Sequence, residues 1–249
     1  SASRATAPRA TLPETSRSSS DAGPGVLDSP VRMKERTESV ASSGVAVAVE
    51  CFEPPGAVGA PAIVALHGSG GMSNGAPIVR SIVRPIVAMG YAVYLPHYFE
   101  RTGTFRSDPQ TSRTHFPTWL QTVADVLGFV ERQPAADTAR IGIIGISLGA
   151  FLGLSIATID ARVKAVVDFY GGLPPPFDVD IARLPPTLVL HGDADQVVPV
   201  GEALKLERGL EQNGVPHDVH IYRDEGHIFS PMTAIDAARR TMAFLGRWL

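Results

Sequence analysis

Arg140-Ile141-Gly142-Ile143-Ile144-Gly145-Ile146-Ser147-Leu148-Gly149-Ala150 is the stretch whose reading decides the fold. Its isoleucines, interleaved with glycine, are apolar on both faces and too few for a helix, which predicts a short, fully buried strand. A helix-like apolar run, Leu148 to Ile159, follows at once. The chain must therefore pass from strand to helix with almost no residues to spare. Gly145 and Gly149 allow that turn without side-chain clashes on either side of the serine, and Ser147 is left at its tip. Ile141 to Ile159 is uncharged over a length that could suggest a membrane span, but its internal glycines and serines and its change of texture argue against one.

Gly71-Met72-Ser73-Asn74-Gly75 repeats the G-x-S-x-G spacing. It follows a Gly-rich turn with no strand running into it, so Ser73 is expected in a loop.

Outward from the serine, strands and helices alternate. Val31 to Glu53 alternates apolar and polar residues in two runs, which predicts two antiparallel edge strands ended by Pro54-Pro55-Gly56. Pro61 to Leu66 is a more uniformly apolar strand running into His67-Gly68-Ser69-Gly70-Gly71. The expected order then continues with helix Ala76–Met89 closed by Gly90, strand Tyr91–Leu95, a loop from Pro96 to Phe116, and helix Pro117–Arg132 with proline at its start. After the central strand and helix come strand Val163–Phe169, a Pro-rich excursion from Gly171 to Pro186 and strand Thr187–Leu190. Helix Val200–Gln212, strand Asp218–Tyr222 and helix Pro231–Leu249 complete the chain. This alternation predicts an α/β architecture: a mostly parallel, doubly wound sheet flanked by helices.

The totals bound the function. A chain of 249 residues, 44% hydrophobic, can bury one sizeable core. A net charge of −3 with scattered charges points away from nucleic-acid or anionic-membrane partners and toward small neutral or mildly anionic substrates. A single cysteine, Cys51, excludes an intrachain disulfide and a Cys-rich metal site. No spacing implies a metal or organic cofactor; His217 and His220 fall on opposite strand faces. Residues 1–30, dominated by Ser, Ala, Thr, Pro and Arg, are expected to form a disordered tail ahead of a domain over 31–249. The start at Ser1 shows no charged, then apolar, leader, so no intact signal peptide is expected. A Ser/Pro-rich tether would suit an exported protein, periplasmic or secreted, whose signal had been removed; a cytoplasmic location is the alternative.

In such a sheet reactive groups gather at the carboxyl ends of strands. Past Leu190 comes His191-Gly192-Asp193-Ala194-Asp195-Gln196-Val197-Val198-Pro199, and past Tyr222 comes Arg223-Asp224-Glu225-Gly226-His227. A serine hydroxyl is a poor nucleophile at neutral pH and needs an imidazole to take its proton, and the imidazole needs a carboxylate to fix its tautomer. Ser147, His227 and Asp195 are placed to supply the three groups. Asp193 follows the same strand and is the alternative carboxylate; Asp195 lies further out, where it can reach His227. The backbone N–H groups of Leu148 and Ser69 are the candidate oxyanion donors. His67 and His191, each before a glycine at a strand end, read as buried structural residues. Tyr98, Phe99, Phe151, Tyr170 and Phe229 are candidate pocket-lining residues, and the segment Gly171–Pro186, stiffened by Pro174-Pro175-Pro176, is a candidate lid.

The chain from about residue 45 onward resembles the dienelactone hydrolase family of α/β-hydrolases. The likeness rests on the Gly-Ile-Ser-Leu-Gly elbow, the segment His191 to Pro199, Gly226-His227, the Tyr170-Gly171-Gly172 turn, and Leu95-Pro96-His97-Tyr98-Phe99-Glu100-Arg101. It implies the α/β-hydrolase fold and the nucleophile, acid, histidine order seen in Ser147, Asp195 and His227. The best-known members carry cysteine where Ser147 stands, and His97 replaces a usual aspartate. By the resemblance, Arg101 would help hold a substrate carboxylate; the alternative is a surface arginine paired with Glu100 or Asp108. The expected activity is cleavage of carboxylic esters or lactones through an acyl-enzyme on Ser147, with Tyr98, Phe99 and Tyr170 beside the substrate. A peptidase or acyltransferase using the same triad is the enzymatic alternative, and a non-catalytic binding protein the other.

Overall fold

The computed structural model describes residues 33–173 and 179–249. The expected tail, the first residues of the first expected strand and the Pro174-Pro175-Pro176 part of the expected lid lie outside these residues. In chain order the elements are β1 (Lys34–Ser42), β2 (Val45–Glu53), β3 (Ala60–Leu66), α1 (Gly71–Asn74), α2 (Ala76–Ala88), β4 (Ala92–Pro96), α3 (Pro109–Val130) and β5 (Ala136–Ile146). They are followed by α4 (Leu148–Ile159), β6 (Val163–Phe169), β7 (Thr187–Gly192), α5 (Gly201–Gln212), β8 (His217–Tyr222) and α6 (Pro231–Trp248).

The strands form one sheet in the order β1-β2-β4-β3-β5-β6-β7-β8. β2 is antiparallel to both β1 and β4; every pairing from β4 across to β8 is parallel. Side chains alternate across the sheet, so neighbours along a strand join different cores. Val64, Ile143 and Val189 pack with Trp119 and Val123 of α3, Leu152 of α4 and Leu206 of α5. Ile63, Ile144 and Leu188 pack on the other face with Val79 and Val83 of α2 and Phe244 of α6. This is the mostly parallel, helix-flanked α/β-hydrolase sheet. Cys51 is fully buried on β2. The uncharged stretch Ile141–Ile159 is the end of β5, a turn and α4; among the described residues no helix is long and apolar enough to cross a membrane.

The expected loop from Pro96 to Phe116 needs correction. A 3-10 turn occupies Tyr98–Thr102, and α3 starts at Pro109, eight residues before the expected Pro117. Asp108 caps it, its carboxylate accepting from the Thr111 N–H at 2.7 Å, and Pro109 sits in the first turn where its missing N–H costs nothing. Pro117 lies within the helix and removes one intrahelical hydrogen bond. Burial of Phe116 and Trp119 on either side keeps the helix continuous through it.

Asp168 on β6 is fully buried. One carboxylate oxygen accepts from the Gly171 N–H at 2.7 Å and the other has no hydrogen-bond partner. Burial, only partly opposed by that N–H, pushes its pKa up to about 7. The folded state therefore holds a proton that the unfolded chain releases near pH 4. The stability this provides is complete at the acid end and is lost as pH rises toward about 7. At about 1.4 kcal/mol per pKa unit the loss is on the order of a few kcal/mol. Asp168→Asn keeps the acceptor toward Gly171 but cannot ionise. Urea midpoints measured from about pH 4 to pH 8 should show the Asn variant gaining on the wild type as pH rises. A pH-independent difference would refute this account.

Candidate active site

The turn between β5 and α4 holds Ser147 at φ +53°, ψ −119°, a conformation that a residue with a side chain adopts only under constraint. The constraint is steric. A Cβ on Gly145 would collide with the Ala150 backbone, and one on Gly149 would collide with the carbonyls of Leu66 and His67. The turn is thus closed against both its own helix and the end of β3. The Ser147 N–H donates to the Phe169 carbonyl at 2.9 Å, which ties the tip to β6.

Two further loops are clasped together beside it. Gly192, ending β7, lies against the Glu225–Gly226 backbone with no room for a side chain. Asp193 N–H donates to the Tyr222 carbonyl, Ala194 N–H to that of Glu225, and Asp224 N–H to the Asp193 carboxylate. Asp193 is therefore a loop-forming residue. Asp195, two residues on, has a fully buried side chain. One of its oxygens accepts from the N–H groups of Val197 and Val198 at 2.8 and 3.0 Å, and the other lies 2.7 Å from His227 Nδ1.

His227 Nε2 lies 3.0 Å from Ser147 Oγ. A carboxylate only accepts, so Nδ1 carries the imidazole proton and Nε2 is free to accept from the serine hydroxyl. Such a chain can move a proton from a hydroxyl to an imidazole and stabilise the resulting cation. The Tyr170 ring packs against the imidazole at 4.7 Å. His191 is buried, its Nε2 donating to the Val198 carbonyl at 2.8 Å; burial lowers its pKa and keeps it neutral. It ties the base of the Asp195 loop to its far end.

Ser147 opens onto a cavity of about 470 Å³. Phe116, Leu148, Phe151, Val197 and Val198 supply the apolar wall, and Ser69, Ser107, Asp108, Ser112 and Arg113 the polar one. The Leu148 N–H, in the first turn of α4, has no acceptor within its helix. A Cβ on Gly68 would be 3.3 Å from Ser147 Cβ, so the loop carrying Ser69 runs directly beside the serine.

The remaining expected site residues lie elsewhere. Tyr98 and Phe99 are buried behind the β3 loop, where Tyr98 stacks on His67 and donates its hydroxyl to the His67 carbonyl at 2.7 Å. Both belong to the core because the 3-10 turn after β4 points them inward. Tyr170 is buried beneath His227, and Phe229 packs on Tyr170 and Tyr222. Arg101 is neither at the cavity nor in an ion pair with Glu100 or Asp108. Arg101 does not line it, and its buried Nε has no hydrogen-bond partner; Glu100 binds His97 and the Ala48 N–H, while Asp108 caps α3. Ser73 lies in α1 rather than in a loop.

The first two turns of α3 contribute Pro109, Ser112, Arg113 and Phe116 to the cavity, none of them anticipated. The signal that could have revealed them is Asp108-Pro109, a helix-start pair inside the segment read as loop. Among the described residues no group of three or more His, Cys, Asp or Glu side chains is placed to hold a metal ion.

Known proteins resemble this chain in sequence and fold. A Methylorubrum extorquens protein named "Putative carboxymethylenebutenolidase" is 27% identical over 168 residues, covering 61% of this chain and 58% of that protein. A Yersinia pestis protein of the same name is 23% identical, over 61% of this chain and 63% of its own length. The chain thus spans roughly three-fifths of these curated relatives. Among solved structures, the dienelactone hydrolase-like promiscuous phosphotriesterase P91 from metagenomic libraries superimposes with a TM-score of 0.77 at 17% identity, over 87% of this chain and 98% of that one. A puromycin-hydrolyzing peptidase of Mycobacterium tuberculosis gives 0.74 at 20% identity, over 87% and 39%. Both show a common fold. A sequence model of the dienelactone hydrolase family matches residues 47–244, most of the chain and all of the elements from β2 onward that build the cavity, so the protein belongs to the dienelactone hydrolase family.

Proposed function

We propose that the protein is a serine hydrolase that cleaves carboxylic esters or lactones through an acyl-enzyme on Ser147. The observation that carries this reading is the continuous hydrogen-bond chain from Asp195 through His227 to Ser147, at a strained turn that opens on a largely apolar cavity. Family membership and the names of the relatives support a hydrolase.

In this reading Ser147 Oγ attacks the acyl carbon while His227 Nε2 takes its proton. Asp195 holds the imidazole by Nδ1 and stabilises its positive charge. The N–H groups of Leu148 and Ser69 receive the charge that develops on the acyl oxygen. The tetrahedral adduct collapses as His227 returns the proton to the leaving alkoxide, and a water activated by the same imidazole then releases the acid. The apolar wall from Phe116 to Val198 would hold the acyl or lactone skeleton.

Labelling with a fluorophosphonate followed by peptide mapping tests the reading without knowledge of the substrate. The expected result is one adduct per chain on the peptide containing Ser147 and none on that containing Ser73. A folded protein that stays unlabelled would sink the proposal and favour a binding role.

A further inference from the structure

We propose that His67 is a positioning residue that aims the Ser69 N–H at the oxyanion. The inference rests on the serine-hydrolase reading and deepens it.

His67 directly follows the last residue of β3 and is wholly buried. Its Nδ1 lies 2.9 Å from the carbonyl oxygen of Gly68, the next residue. A carbonyl only accepts, so Nδ1 carries the proton and donates. The Gly71 N–H donates to the same oxygen at 3.1 Å. In a trans peptide the C=O of one residue and the N–H of the next point in opposite directions. Fixing the Gly68 carbonyl with two donors therefore fixes the Ser69 N–H, which points the opposite way within the same peptide plane.

The neighbouring groups are anchored as well. The His67 carbonyl accepts from the Tyr98 hydroxyl at 2.7 Å, and the Ser69 carbonyl accepts from the Ser107 N–H at 2.9 Å. The imidazole is clamped by Tyr98, stacked at 4.1 Å with an interplanar angle of 11°, and by the edge of Phe99 at 4.8 Å.

His67 Nε2 is buried with no hydrogen-bond partner. An orphaned acceptor costs stability that a phenylalanine in the same aromatic clamp would avoid. What the imidazole adds in return is the Nδ1 donor. Burial lowers its pKa to about 4, so at neutral pH the ring stays uncharged and retains a single proton for that donor role.

Three variants of the full chain test the assignment, assayed on a p-nitrophenyl ester that the wild type turns over. His67→Phe keeps the clamp and removes the donor. Its kcat should fall about 100-fold, the scale of losing or misaligning one oxyanion donor, with KM within about twofold. Affinity for a trifluoromethyl ketone, whose serine adduct carries the same oxyanion, should fall in parallel. His67→Asn, whose amide N–H can occupy the Nδ1 position, should restore most of both. A folded His67→Phe with wild-type kcat, or an Asn variant as impaired as Phe, would overturn the role. If neither variant folds, Tyr98→Phe decides: losing the hydroxyl that anchors the His67 carbonyl should lower kcat about tenfold at unchanged KM, and unchanged kcat counts against the proposal. Absence of fluorophosphonate labelling in the wild type would instead overturn the serine-hydrolase reading itself.

Discussion

Ser147→Ala is expected to lower kcat on any ester the wild type hydrolyses by about a million-fold while leaving a folded, ligand-binding protein. In the proposed mechanism the three polar residues act as a unit. Without an oxygen at this position His227 has no proton to take, and the hydrogen bond between Asp195 and His227 has nothing to activate. What survives is binding in the cavity and the backbone donors, which alone give a small residual rate. Folding should change little, because the strained φ of +53° is imposed by the closure of Gly145 and Gly149 against neighbouring backbone and not by the hydroxyl. Steady-state kinetics with a binding assay for a non-hydrolysed amide analogue checks both halves. Retention of more than about a thousandth of wild-type kcat would mean that the nucleophile lies elsewhere.

Asp195→Asn should cost about 10⁴-fold in kcat, whereas Asp193→Asn should cost little. The two carboxylates sit two residues apart but do different work. Asp195 has one oxygen on two backbone N–H groups of its own loop and the other on His227 Nδ1. An asparagine can keep the first pair of bonds with its carbonyl. It would then turn an NH2 toward Nδ1, which favours the wrong imidazole tautomer and leaves Nε2 protonated against the serine. Asp193 instead faces outward and accepts from the Asp224 N–H, a bond that an asparagine carbonyl can also accept. Rates for both variants on the same ester, with melting temperatures to confirm folding, separate the roles. Equal losses in the two would contradict the division.

The expectations that matched the structure came from local pattern. An apolar strand that meets a helix across Gly145-Ile146-Ser147-Leu148-Gly149 has few ways to turn, and the geometry of that turn exposes its central side chain. Asp195 and His227 were legible because each follows a strand end, and parallel strands bring those ends to one edge of the sheet. The positions of Tyr98, Phe99 and Arg101 away from the cavity were not legible. Whether a side chain after a strand faces solvent, cavity or core depends on the next turn, and the 3-10 turn at Tyr98–Thr102 sends both aromatic rings behind the β3 loop. The start of α3 was obscured because Pro117 and Pro109 are both suitable first-turn prolines; only packing of Phe116 and Trp119 carries the helix through the second.

By itself, then, the amino-acid sequence determined the order of the main strands and helices, the sterically closed turn at Ser147 and the strand ends that bear Asp195 and His227, because each depends on periodicity or on glycine within a few residues. Only the tertiary structure decided which aromatic residues line the cavity, that the first turns of α3 form its polar rim with Arg113, and that Tyr98 stacks on the His67 imidazole. These depend on residues far apart in the chain meeting across the sheet, and the register of such meetings is set by the packing of whole elements rather than by any short stretch.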